Sequence, residues 1–221
     1  MKKKVALLHT SLVFIQKERL LFEIFQEILP NVELINIIDD GMLKEVMENG
    51  KITANVTRRM CLYVLAAEAM SVDAIFSTCS SLGPAMDIAR HLVQTPIVKI
   101  DDGMAHKAAM DGKKIAVLAT VPTTLPPTAA LIKENAELMN KVVETREALS
   151  EGAFNLLMQN QVEKHDEMVS LTAGEMSKWA DTLVLAQCSM ARLAPRLEKE
   201  TNRPVLSSPR LGVLRLKEVL G

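Results

Sequence analysis

Short apolar runs alternate along the chain with longer segments in which apolar positions recur every three or four residues. VALLH (Val5–His9), ELINII (Glu33–Ile38), DAIFST (Asp73–Thr78) and PIVKI (Pro96–Ile100) are of the first kind, as are IAVLA (Ile115–Ala119), KVVET (Lys141–Thr145), TLVLA (Thr182–Ala186) and PVLSS (Pro204–Ser208). QKERLLFEIFQEIL (Gln16–Leu29) and TRRMCLYVLAAEAM (Thr57–Met70) are of the second. Near-continuous apolar runs of this length suit strands buried on both faces, and amphipathic segments between them suit covering helices. The pattern predicts an α/β fold on mainly parallel sheets.

The pattern also repeats. KKVALLHT (Lys3–Thr10) returns as KKIAVLAT (Lys113–Thr120), DAIFSTCSSLG (Asp73–Gly83) as DTLVLAQCSMA (Asp181–Ala191), and TPIVKI (Thr95–Ile100) as RPVLSS (Arg203–Ser208). Three landmarks in one order, each about 110 residues on, predict two duplicated, doubly wound lobes. The expected division is residues 1–98 plus 207–221 for lobe I and 99–206 for lobe II, related by a pseudo-twofold axis with the active site in the cleft between them. PRLGVLRLKEVLG (Pro209–Gly221) reads as one more helix, starting at Pro209 and packing back on the first lobe.

Composition narrows the partner. With 26 basic and 27 acidic residues and 3% aromatics, the chain lacks the charge and stacking surface of a nucleic-acid binder. No apolar stretch reaches the roughly 18 residues of a spanning helix, and the opening does not read as a signal peptide. A cytoplasmic protein with a small-molecule substrate is expected, without nucleic acid or membrane, and as a homo-oligomer by the common default. With 9 glycines and no phosphate loop or Gly-x-Gly-x-x-Gly, nucleotide cofactors are not supported; no cofactor or metal is expected.

Three cysteines, Cys61, Cys79 and Cys188, are too few and too spread for a disulfide framework or a zinc cluster. Cys61 sits mid-segment, where Met60, Val64 and Ala67 recur at helical spacing, and reads as core filler. Cys79 and Cys188 each end a strand-like run and precede a helix. Ligands of parallel α/β sheets bind at such strand ends. Free N–H groups and the dipole at a helix start favour a thiolate, so both thiols are expected below their usual value of about 8.5. Placed at equivalent points of two repeats, they would flank one ligand. Two acid/base groups on opposite faces of a carbon perform racemisation or epimerisation.

STCSSLG, LAQCSMARL and VLATVPTTL, with the duplicated layout, resemble the Asp/Glu/hydantoin racemase superfamily of cofactor-independent, two-cysteine racemases. The resemblance implies an isomerase with Cys79 and Cys188 as the acid/base pair, and a small carboxylate or hydantoin as substrate. It implies substrate-binding roles for Ser80, Ser81 and Ser189 beside the thiols, for Thr120, Thr123 and Thr124 in ATVPTT, and for Thr10 and Ser11 in the first lobe. Helix capping is the competing role of these hydroxyls. Glutamate racemases carry a histidine soon after the second cysteine and Asn-Thr after the first. This chain has Ser189, Met190 and Ala191, and Ser80 and Ser81, which points to a hydantoin, an aspartate-like acid or another small carboxylate. Relatives also include a maleate cis-trans isomerase with a nucleophilic cysteine, and arylmalonate decarboxylases that keep one cysteine. A non-catalytic, two-lobed binding protein is the alternative from another class.

Other features carry less. His165 and Asp166 lie in a charged helical stretch and read as a solvated face. His9 ends the first strand, near the expected cleft, and His91 and His106 show no partner. Asp39–Gly41 and Asp101–Gly103 both spell DDG, first of all a turn signal. Arg58 and Arg59 precede a helix that could reach the cleft and bind a substrate acid, but adjacent arginines on a helix usually diverge and meet solvent.

Overall fold

Val5–Leu8 are fully buried, and the strand they form, β1 (Lys4–His9), lies inside a parallel sheet. The computed structural model describes residues 2–12 and 19–221. The first turn of the expected Gln16–Leu29 helix lies outside the described residues; α1 runs Leu20–Ile28. β2 (Glu33–Ile38) pairs with one edge of β1, Lys4 opposite Glu33. After α2 (Gly41–Asn49) and α3 (Ala54–Ala69), β3 (Ala74–Ser77) pairs with the other edge, Leu8 opposite Ser77. α4 (Gly83–Ala89) leads to β4 (Ile97–Lys99), completing the order β2-β1-β3-β4. The chain winds outward in one direction from β1 and in the other from β3, so the carboxyl ends of β1 and β3 form the switch point where open α/β sheets take ligands.

α3 shows how local chemistry builds this frame. Thr53 caps it, accepting from the Val56 N–H at 3.1 Å, and Val56, Met60, Val64 and Ala67 make one buried stripe. That stripe packs with Ala6, Leu8 and Ile75 of the sheet, and Cys61 is part-buried at its edge, as filler.

α5 (Asp102–Asp111) begins the second half, followed by β5 (Lys114–Ala119), α6 (Leu125–Leu138), β6 (Glu144–Leu149), α7 (Ala153–Met158) and α8 (Val162–Ser177). β7 (Thr182–Leu185), α9 (Ala194–Thr201) and β8 (Val205–Ser207) complete a second parallel sheet, β6-β5-β7-β8, with the same order as the first. Val169 and Ala173 of α8 and Leu197 of α9 pack on Leu118, Leu183 and Leu185. The strand expected at Lys141–Thr145 forms instead at Glu144–Leu149, because it is an edge strand with little buried surface. Val142, which suggested the earlier start, is 92% exposed.

The chain divides into two compact units, Met1–Asp102 with Pro209–Gly221, and Gly103–Ser208. Residues 99–102 fall in the first unit, where the Asp102 carboxylate accepts the Lys99 N–H at 2.8 Å and ties the turn to β4. The last helix, α10 (Ser208–Leu220), returns to the first unit from Pro209 onward. Arg210 pairs there with Glu27. Gly212 lies against the Ile100 backbone; a Cβ would overlap the carbonyl oxygen and come within 3.0 Å of the carbonyl carbon. Among the described residues no helix is long and apolar enough to cross a membrane.

Candidate active site

In the first unit, the Thr78 N–H and hydroxyl both donate to the Leu8 carbonyl, each at 3.1 Å, locking the ends of β3 and β1 together. Cys79 follows in extended conformation (φ −135°, ψ 114°), directly before a 3-10 turn, Ser80–Leu82, and α4. Its thiol interacts with the side chain of buried Thr10, the residue after β1. The strand-end position is as expected from sequence, but the thiol's acidity is not. Burial pushes the Cys79 thiol above its ordinary value; the Thr10 hydroxyl and the N–H groups of Leu82 and Ser81 pull it down by less, and the Asp101 charge adds to the rise. A short helix behind a 3-10 turn supplies too little field to offset desolvation.

Ser80 and Ser81 are buried, and Ser11 is half-buried in the bend after β1. Ser80 hydrogen-bonds the carboxyl of Asp101, which is itself 2% exposed. Burial and the charge of Asp102 push Asp101 up to about 6, against the pull of Lys99. Lys99 is held by both oxygens of Asp87 at 2.9 Å. His9 is buried, with Nε2 2.9 Å from Asn36 Oδ1 and Nδ1 3.4 Å from Thr78 Oγ1. Burial holds its imidazole below the ordinary value although the Asn36 bond works the other way. The first DDG is a turn, with the Gly41 N–H donating to Asp39 Oδ1 at 3.2 Å. Arg59 is spent there, pairing with Asp39 and with Glu45 at 3.0 Å, and Tyr63 donates to Asp39 at 2.9 Å. Burial raises Asp39, but these bonds more than offset it and hold the carboxyl low. Arg58, His91 and His106 are exposed.

In the second unit the corresponding strand end differs by one residue. The Thr78 N–H bonds to Leu8 O, and the Ala186 N–H to Leu118 O; Leu82 N–H bonds to Cys79 O, and Met190 N–H to Gln187 O. Both series equate Cys79 with Gln187. Gln187 also shares the extended backbone (φ −127°, ψ 137°) ahead of a 3-10 turn, Cys188–Leu193. Cys188 is therefore one residue beyond the place expected for it, buried within the turn. The Gln187 Oε1 accepts from Thr120 N–H at 2.5 Å, Thr120 hydroxyl at 3.1 Å and Val121 N–H at 2.8 Å. It thus engages Thr120 as the Cys79 thiol engages Thr10.

Thr120 is consequently occupied by protein rather than open to an anion. Thr124 does not cap α6; its hydroxyl donates to the Val121 carbonyl at 2.7 Å. Thr123 and Ser189 are half-buried in their turns. His165 and Asp166 are not a solvated face. His165 is 0% exposed, its Nδ1 lies 2.8 Å from Asp166 Oδ1, and Asp166 takes both Arg192 Nη atoms at 2.5 Å. His165, Val169 and Ala173 share the stripe of α8 that packs inward. Burial raises Asp166, but Arg192 and His165 more than offset it and hold the carboxyl low. The network ties the turn bearing Cys188 to α8. Asp101 was weighed from sequence only within a DDG turn signal and Gln187 not at all; the signal for each was its position directly after a strand-like run. Among the described residues no group of three His, Cys, Asp or Glu side chains is arranged to hold a metal ion.

Residues 18–216 match the family model described as Asp/Glu/Hydantoin racemase. The chain belongs to the Asp/Glu/hydantoin racemase family. The family is one of isomerases, and solved structures share its architecture. A glutamate racemase from Bacillus anthracis superposes with TM-score 0.72 at 15% identity, over 100% of this chain and 82% of that one. An allantoin racemase from Klebsiella pneumoniae gives 0.70 at 17% identity, over 99% and 87%. An aspartate racemase from Picrophilus torridus gives 0.67 at 16%, over 98% and 94%. No curated protein matches the chain in sequence. At such identities the structural likeness speaks for the fold alone, so what this family member acts on is argued from its own residues.

Proposed function

We propose that the protein is a cofactor-independent racemase or epimerase of a small amino acid, hydantoin or related carboxylate, with Cys79 and Cys188 as the acid/base pair. The observation that carries this is the Cys79 thiol at the switch point of the first sheet, beside Thr10 and the N–H groups of Ser81 and Leu82. Proton removal from a carbon beside a carbonyl leaves its electron pair delocalised onto the carbonyl oxygen, where donors of this kind stabilise it. One sulfur takes that proton as thiolate, and the other thiol delivers a proton to the opposite face. Burial raises the Cys79 thiol, and we assign the proton-bearing role in the free enzyme to Cys79 and proton removal to Cys188. Thr10, Ser11, Ser80, Ser81, Thr123 and Ser189 are the proposed substrate-facing donors, while Thr120 and Thr124 shape their turn. The relatives named for glutamate, aspartate and allantoin set the range of substrates to try.

Solvent deuterium incorporation at the α-carbon of candidate amino acids, 5-substituted hydantoins and allantoin, followed with stereochemical analysis of the product, tests this. Exchange with inversion that disappears in both Cys79→Ser and Cys188→Ser is the expected result. The displaced register of Cys188 favours one second reading, in which Cys79 alone handles the proton. Full activity in Cys188→Ser with none in Cys79→Ser selects that reading. Activity surviving in both variants rules out thiol chemistry.

A further inference from the structure

Asp101 lies two residues beyond the end of β4, which pairs with β3, and the Ile100 N–H bonds to Ser77 O at 2.9 Å, so the two strand ends lie side by side. The adjacent turn is already closed by Asp102 through Lys99 N–H, so the turn does not explain Asp101's burial. The Asp101 Oδ1 has no hydrogen-bond partner among the described residues. A buried carboxyl with an unmet acceptor is costly and calls for a reason outside local structure. Its side-chain hydrogen bond to the Ser80 hydroxyl leads to the residue beside Cys79.

We propose that Asp101 is a positioning residue for Cys79: its buried carboxyl, anchored to the cysteine's turn through Ser80, opposes ionisation of the neighbouring sulfur and makes Cys79 the proton-bearing thiol. The groups that face it are Asp102 and Lys99 from its own turn, Cys79 and Ser80 from the β3 turn, and, through Lys99, Asp87 of α4. The Asp101 charge acts on Cys79 in the same direction as burial. Protonation of Asp101 as pH falls through about 6 removes that opposition, so the two sites titrate as a linked pair. The role in catalysis rests on the reading of Cys79 given above; the linkage itself does not.

The test is the pH profile of Cys79 alkylation by iodoacetamide, read for each cysteine separately by peptide mass spectrometry, in the full-length protein and in Asp101→Asn. The variant should move the Cys79 profile down by about one pH unit, with alkylation on the order of tenfold faster near pH 7, while Cys188 keeps its profile. An unchanged Cys79 profile in a folded Asp101→Asn overturns the proposal. Should that variant not fold, carbon-detected NMR titration of the unaltered protein decides. A carboxyl titrating near pH 6 with a second inflection from Cys79 supports the linkage, and an ordinary aspartate curve overturns it. Deuterium exchange is scored apart: a shifted Cys79 profile without exchange on any substrate sinks the racemase reading and leaves the linkage standing.

Discussion

Replacing Asp101 with asparagine should stabilise the protein above pH 6 and leave its stability unchanged below pH 4. The carboxyl is raised from its ordinary 3.8 to about 6, roughly two units, and at about 1.4 kcal/mol per unit the ionised form costs about 3 kcal/mol of folding free energy. Below 3.8 the group is protonated in both states and costs nothing. Between 3.8 and about 6 only the unfolded chain ionises, so stability falls as pH rises, and beyond about 6 the full cost is present. Asparagine keeps an acceptor for Ser80 and cannot ionise, so the loss is absent from the variant. Urea unfolding followed by circular dichroism at pH 4, 5, 6, 7 and 8 measures the difference between the two proteins. Taking the change in that difference with pH cancels whatever the amide does to packing. A difference that stays flat with pH, or falls toward pH 8, would refute the reasoning.

Gln187→Leu removes the acceptor of three hydrogen bonds and strands the N–H groups of Thr120 and Val121; at about 1–3 kcal/mol for each buried unmet donor, thermal unfolding should show a drop of several degrees. An unchanged midpoint would mean that water or rearrangement supplies those donors. His9, held neutral by burial, contributes stability that is present above its ordinary value of 6.5 and is lost as pH falls below it. His9→Gln should therefore flatten the decline in urea stability between pH 7 and pH 5, and a decline equal to that of the parent protein speaks against the assignment. Gly212→Ala forces a methyl into the Ile100 backbone and should cost about 1–3 kcal/mol, read as faster hydrogen exchange of the α10 amides. Protection equal to that of the parent chain would show that α10 is not held by this contact.

The strands of both sheets were legible because buried parallel strands need continuous apolar runs, and seven of the expected runs overlap strands without displacement. β6 was misplaced because its residues, ETREAL, hold no apolar run, unlike those of the other edge strands, while Val142 and Val143 just before it do. His165 and Asp166 misled for the opposite reason. Their charged neighbours Glu163, Lys164 and Glu167 are exposed, and only the packed face of α8 decides that His165 and Asp166 turn inward onto Arg192.

Sequence by itself determined the α/β class, the duplication, the family and the presence of a cysteine at the end of β3, since periodicity and repeated motifs depend on local spacing alone. Tertiary structure decided the rest of the site. Hydrogen-bond register across β1–β3 and β5–β7 equates Cys79 with Gln187 and sets Cys188 one residue beyond, a difference that matching letters by motif conceals. Burial decided the direction in which the Cys79 thiol and the Asp101 carboxyl are shifted. The free energy of an ion depends on how much water surrounds it, and that is a property of the packed chain, not of the residues beside it in sequence.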